Sequence, residues 1–178
     1  IDLEANLTLK FDDLHSEDQR TFKVIYSRNS IILFQGWLDP AGWNEPFDSD
    51  KWNVSFDCID GLSFLSDLAF VENETGLNIV GIYTQLELLS LALIRTGLEQ
   101  PINIDIQVFY TGLAETESIL DNINARAIRY IKPDDNTVMS CEEVIRDVLE
   151  PYGACITSRD GEWVIYKPNQ IANSGVLT

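Results

Sequence analysis

The sequence predicts an α+β chain, in which antiparallel strands form a barrel-like or sandwich module and a mixed region carries two main helices. Three observations point there. Apolar and polar residues alternate with the strand period over much of the chain before residue 61. Two capping boxes, Thr84 with Glu87 and Ser140 with Glu143, each open a run with helical periodicity. Asp160-Gly161 stands between two β-forming runs as a tight hairpin turn.

The first strand is read at Leu3, Ala5, Leu7, Leu9 and Phe11, which share one side against Glu4, Asn6, Thr8 and Lys10. Asp12 to Arg20 follows as a charged loop. Phe22–Ser27 and Ile31–Leu38, rich in Ile, Val, Phe and Tyr, flank Asn29-Ser30 as a hairpin. Asp39 to Lys51 holds Pro, Gly, Asn and Asp that do not sustain helix or ladder, so a long loop carrying Trp43 is expected. Trp52, Val54, Phe56 and Cys58 alternate as a strand, and Asp60 before Gly61 reads as the cap of a short helix over Leu62–Leu68.

Beyond Thr84, one stripe of Leu86, Leu89 and Leu93 and a second of Leu88, Leu91 and Ile94 predict a helix buried on most sides, stopped by Gly97. Ile102, Ile104, Ile106 and Val108 alternate as a strand, and Leu113–Tyr130 holds weaker signals for a short helix and a strand. Val144, Ile145, Val148 and Leu149 form the apolar face of the helix after Ser140, ended by Pro151 and Gly153. Pairing of Ala154–Ser158 with Glu162–Lys167 puts Ile156, Ile165 and Trp163 on one face.

At 178 residues the chain is sized for one domain or a compact pair. The change from strands to helix-and-strand units places a soft division near residues 60 to 80, with a β-rich module over 1–70 and a mixed module over 71–178. A start at Ile1 and a polar end from Asn169 to Thr178 read as a piece of a longer protein.

Charge narrows the function classes. Twenty-nine acidic residues against 12 basic ones give a net charge of −17, which disfavours specific nucleic-acid binding and attachment to anionic membranes. The most apolar stretch, Leu88–Ile94, is seven residues long, against about 20 for a membrane span, so no membrane insertion is expected. Cys58, Cys141 and Cys155 make no CxxC pair and no even framework, which fits buried thiols without a disulfide. His15, the single histidine, lies in a charged loop, and there is no GxG, GxxxxGK[ST] or GxSxG. Neither a His-based catalytic centre nor a phosphate cradle is available. We therefore expect no catalytic residues, no metal and no cofactor.

Among the carboxylates, Asp48, Asp50, Asp57 and Asp60 near Trp43 and Trp52 are the best group for sugar cleavage, and Asp48-Ser49-Asp50 the best for calcium. Cap, strand-face and loop roles account for them more simply. Trp163 and Trp52 read as core, whereas Trp37 and Trp43 bracket the Pro/Gly loop and are free to face a partner chain. The sequons at Asn6, Asn53 and Asn73 are read as chance.

One arrangement goes beyond composition. Residues 32–38, Ile-Leu-Phe-Gln-Gly-Trp-Leu, lead to a loop with Glu45-Pro46-Phe47, a strand over Trp52–Ile59, and Asp60-Gly61-Leu62. Later come Ser140-Cys141-Glu142-Glu143-Val144-Ile145, Tyr152-Gly153-Ala154 and Asp160-Gly161-Glu162-Trp163. Over roughly residues 22 to 167 this resembles tail proteins of phages and prophages, particularly of Bacteroides-type hosts, that look like tail-tip or baseplate hub subunits. The resemblance implies a virion structural protein made in the host bacterial cytoplasm and placed in the tail. It implies a homo-oligomer, trimeric or hexameric, with other tail proteins as partners, and Trp37, Trp43, Pro46 and Phe47 as interface residues. Within the pattern Gly36 is read as a bulge or close backbone approach. The competing reading is a carbohydrate-binding or carbohydrate-cleaving module built on Trp43, Asp48 and Asp50.

Overall fold

Asn29 and Ser30 sit at φ 52° and 64°, the left-handed pair that a two-residue hairpin turn requires. They join β1 (Lys23–Arg28) to β2 (Ile31–Asn44), antiparallel, with Lys23 opposite Trp37 and Arg28 opposite Ile31. Tyr26 faces Phe34 and Ser27 faces Ile32, so Leu33 is an extra residue in β2 and the ribbon is bulged there. In the computed structural model, residue 16 and residues 18–44, 55–106, 117–134 and 136–168 are described. The expected strand at Leu3–Phe11 and His15 lie outside them. The chain divides into two units, Ile1–Asp60 and Gly61–Thr178.

β3 (Ser55–Ile59) completes the first sheet, in the order β1-β2-β3. Its pairing with β2 corrects the loop expected from Asp39 onward. Trp37 and Leu38 face Ile59 and Cys58, Trp43 and Asn44 face Phe56 and Ser55, and Asp39 to Gly42 are bulged against Asp57. The bulge accommodates Pro40 because no ladder N–H is needed there. Ala41 N–H donates to Asp39 Oδ1 at 3.0 Å, a local turn that carries the chain across it. A Cβ on Gly42 would come within 2.9 Å of Asp57 Oδ2, so glycine lets the two strands close again.

The second unit opens on a tight 3-10 turn over Leu62–Ser66, shorter than the helix expected to Leu68. Its N-cap position belongs to Gly61 at φ 85°, with no side-chain cap bond, which corrects the capping role expected of Asp60. The left-handed backbone makes the turn that a side chain was expected to make. β4 (Ile82–Thr84) leads directly into α1 (Gln85–Leu93), and β6 (Asn124–Arg126) pairs antiparallel with β4. Between them run β5 (Ile102–Asp105) and the single turn α2 (Ile119–Asn122). α3 (Cys141–Leu149) is followed by the hairpin of β7 (Cys155–Arg159) and β8 (Glu162–Tyr166), turned by Asp160 and Gly161 at φ 53° and 77°.

Both capping boxes are complete. Thr84 Oγ1 accepts from Glu87 N–H at 3.1 Å while Glu87 Oε2 accepts from Thr84 N–H at 2.7 Å. Ser140 Oγ and Glu143 repeat the exchange at 3.2 and 2.7 Å. α1 buries Leu88, Leu89, Ala92 and Leu93, and α3 buries Val144, Ile145, Val148 and Leu149. Ile94, expected inside, is 47% exposed. The chain tightens into a 3-10 turn at Ile94–Thr96, and Thr96 is the buried residue there. Its hydroxyl donates to Leu93 O at 2.7 Å and accepts from Leu98 N–H at 3.1 Å, so the buried polar group is satisfied.

β5 and β8 are parallel and β8 and β7 antiparallel, in the order β5-β8-β7. The registers put Ile104, Ile165 and Ile156 in one row and Ile102, Trp163 and Ser158 in the next. Trp163 and Ile165 are fully buried, as the hairpin pattern predicts. Phe70 and Tyr130 meet edge to face, centroids 5.5 Å apart. Cys141 is buried and Cys58 half-buried, but Cys155 is exposed, which corrects the expectation that all three thiols are inside. Cys155 points away because its β7 neighbour Ile156 is the one aligned with buried Ile165. The architecture is α+β with two antiparallel sheets, one mixed sheet and two main helices, and among the described residues no sheet closes into a barrel.

Candidate interaction surface

The first sheet presents the surface nearest the residues singled out in the sequence. β3 pairs with β2 only between Trp37 and Asn44, so from Ile31 to Gly36 β2 is laddered with β1 alone among the described residues. A two-stranded ribbon is marginal by itself in water. Here it is also apolar on the outside: Ile25 is 54% and Ile31 62% exposed, and Tyr26 and Ile32 are exposed beside them. Ile25 and Tyr26 are consecutive in β1 and point to opposite faces, so neither side of the ribbon is a fully wetted one.

The ribbon is anchored where β3 joins it. A Cβ on Gly36 would stand 2.6 Å from Phe34 Cζ and closer still to Ile59 O, which is the close approach expected at that glycine. Phe34 folds along its own strand over Gly36 and fills the space a side chain would take. Gln35 and Leu38 are buried, and Trp37 is half-buried between Lys23 and Ile59. Trp37 and Trp43 thus lie on one strand, on either side of the Asp39–Gly42 bulge. The side chain of Trp43, and Pro46, Phe47, Asp48, Asp50 and Trp52, lie outside the described residues, so the sugar-site grouping does too.

Charge sets the ribbon apart. Residues 19–38 carry Arg20, Lys23 and Arg28 and no acidic residue, in a chain of net charge −17. Sequence reasoning passed over Ile25, Tyr26, Ile31 and Ile32 because strand composition reads as burial. The signal was the unbroken run Ile31-Ile32-Leu33-Phe34, which leaves the strand no polar face.

Several titratable groups are tied into structure. Tyr130 Oη donates to Asp147 Oδ2 at 3.1 Å, and Arg129 donates to Asp147 Oδ1 at 3.1 Å. Burial first, and then the charge of Asp147, pushes the Tyr130 phenol up to about 12. It is a fixed hydrogen-bond donor at neutral pH rather than a proton shuttle. The Ser140 backbone N–H and the Lys132 ammonium, 3.1 Å away, hold Glu143 below the usual carboxylate range. Burial pushes the Cys141 thiol up to about 11 against the weaker pull of Arg95, so the nucleophilic thiolate is suppressed. Burial and Asp57 raise Cys58 likewise. Tyr152 Oη donates to Gln85 Oε1 at 2.6 Å, tying the turn after α3 to the start of α1. Asn73 of the third sequon is exposed, and its Oδ1 accepts from Arg95 Nη1 at 3.0 Å.

Among the described residues no group of three or more His, Cys, Asp or Glu is placed to hold a metal ion. No helix among them is long and apolar enough to cross a membrane. The chain matches no family model, no curated protein and no solved structure.

Proposed function

We propose that the chain is a non-enzymatic structural subunit of a phage or prophage tail, of the tail-tip or baseplate hub kind, packing through β-modules around the tail axis. The observation that carries this reading is the β1–β2 ribbon, whose exposed Ile25, Tyr26, Ile31 and Ile32 form a surface suited to another protein. In this reading the subunit is made in the host bacterial cytoplasm and works in the virion tail. It forms a homo-oligomer, a trimer or hexamer closed by cyclic symmetry about the axis, alongside other tail proteins.

The genes on either side of its own test the reading. Genes for tape-measure or tail-fibre proteins are the expected neighbours; a neighbourhood of polysaccharide-processing genes overturns it. A glycan array and a peptidoglycan release assay provide the biochemical arm. Glycan binding lost in Trp43→Ala, or turnover lost in Asp48→Asn, replaces the structural reading with the carbohydrate one.

A further inference from the structure

The basic, apolar ribbon has a counterpart in the same sequence. Residues 61–94 carry Asp67, Glu72, Glu74 and Glu87 and no basic residue, and the unit from Gly61 onward holds 17 acidic against seven basic residues. Within that stretch a tight turn projects Glu72 and Glu74. Val71 bridges Asn78, Glu72 N–H donates to Leu77 O at 2.9 Å, Gly76 takes φ 68°, and the Thr75 hydroxyl donates to Glu72. Leu77, Val80 and Ile82 are 67%, 64% and 66% exposed. Val80 and Ile82 stand on either side of Gly81, a bend at φ 132° just before β4.

Two basic groups limit the acidic part of this surface. Arg126 stands opposite Ile82 on β6, and Arg95 reaches the turn to bond Asn73. The acidic end is therefore Glu72 to Glu74, and the apolar part runs from Leu77 to Ile82.

The two surfaces complement each other in both respects. One is apolar with Lys23 and Arg28 and no acid; the other is apolar with Glu72 and Glu74 in an acidic unit. Ribbon against ribbon brings like charges together, which costs association, whereas ribbon against the acidic turn brings opposite charges together. We propose that the β1–β2 arm of one copy docks on the Val71–Ile82 surface of a second copy. The contact is head to tail, so a rotation that closes makes a ring. This deepens the subunit reading by naming its partner and surfaces. The gene-neighbourhood test can fail while this contact stands, and the reverse, so the two are separable.

The experiment is light scattering of the full chain at physiological salt over a concentration series. Lys23→Glu with Arg28→Glu, and Glu72→Lys with Glu74→Lys, are made as two separate chains. Each alone is expected to associate at least about tenfold more weakly than the parent, because like charges then meet at the contact. An equimolar mixture is expected to associate more strongly than either chain alone, since the acidic arm of one chain then meets the basic turn of the other and the basic arm of the second meets the acidic turn of the first. A hexamer recovers the parental mass by alternation, whereas three copies cannot alternate. Arg146→Glu with Arg159→Glu, two exposed residues outside both surfaces, makes the same change in net charge as the reversed arm and is expected to associate as the parent does. Glu74→Lys alone guards against loss of the turn that Glu72 helps to hold, and circular dichroism verifies folding of every chain. A parent that stays monomeric, reversed chains that associate like the parent, or a mixture that associates no more strongly than either reversed chain alone overturns the proposal.

Discussion

The ribbon of the first unit and the core of the second are built from the same kinds of residues and treat them in opposite ways. Ile102, Ile104, Trp163 and Ile165 lie in paired strands of the second unit, and Trp163 and Ile165 are fully buried. Ile25 and Ile31 lie in strands of equal β propensity and stay more than half exposed. The difference is one of cover. A strand fixes where its side chains point, and burial then depends on whether another layer arrives to remove them from water. In the second unit Trp163 and Ile165 have that cover, being 1% and 0% exposed. The described part of the first unit is a single three-stranded sheet.

Substitutions that separate the two regions should differ by several kcal/mol. Trp163→Ala removes the largest fully buried side chain among the described residues and is expected to cost about 3–5 kcal/mol in denaturant unfolding. Ile31→Thr, a β-branched swap on the exposed ribbon, should change stability by no more than about 0.5 kcal/mol. A large loss at Ile31 would mean that the ribbon is covered within the chain and would erase the contrast. Gly36→Val comes next: its side chain must displace Phe34 or the Ile59 carbonyl, at about 1–3 kcal/mol by the cost of overpacking. Near-UV circular dichroism should then change for the first unit's aromatic residues while the second unit's unfolding stays in place.

A smaller loss, about 1 kcal/mol, is expected for Ser140→Ala, which removes one side of a capping box. The same measurement on Thr84→Ala tests whether the two boxes contribute alike. The pH dependence tests the same core from another side. Tyr130 is raised from 10.0 to about 12 and Cys141 from 9.0 to about 11. Groups raised in the folded state contribute stability fully below their unfolded values and lose it as pH rises through the folded ones. Stability should therefore fall from pH 9 upward, most steeply between about pH 10 and 11 where both groups contribute, and level off past the folded values. Tyr130→Phe should flatten the part above pH 10. Glu143 acts at the other end. Its folded value lies below 4.5, so its contribution is present above that pH and is lost as pH falls through the folded value. Glu143→Gln should blunt the acid loss, and an unchanged acid limb would assign it to other carboxylates.

Local signals were legible. Asn29-Ser30 and Asp160-Gly161 turn where their left-handed backbone preferences place them, and both capping boxes open helices within a residue of the expected start. The close approach at Gly36 was readable from a glycine between large side chains. The β2 strand beyond Asp39 was not, since Pro40 and Gly42 carry turn propensities that a bulge opposite Asp57 overrides. The pairing of β4 with β6 and of β5 with β8 was equally hidden, because partners 40 or more residues apart leave no periodic trace. Of the expected interface residues, Trp37 lies half-buried at the anchor of the ribbon, while the exposed residues are its strand neighbours.

By itself the sequence determined what nearest neighbours decide: turns through left-handed backbone, helix starts through reciprocal caps, strands through alternation, and the acid-free stretch 19–38 in a chain of net charge −17. Only the tertiary structure decided which apolar faces are covered and which strands lie side by side. The reason is physical. Backbone preference acts over one or two residues, whereas burial is a property of the layer that packs against a face, and that layer comes from segments distant in the chain.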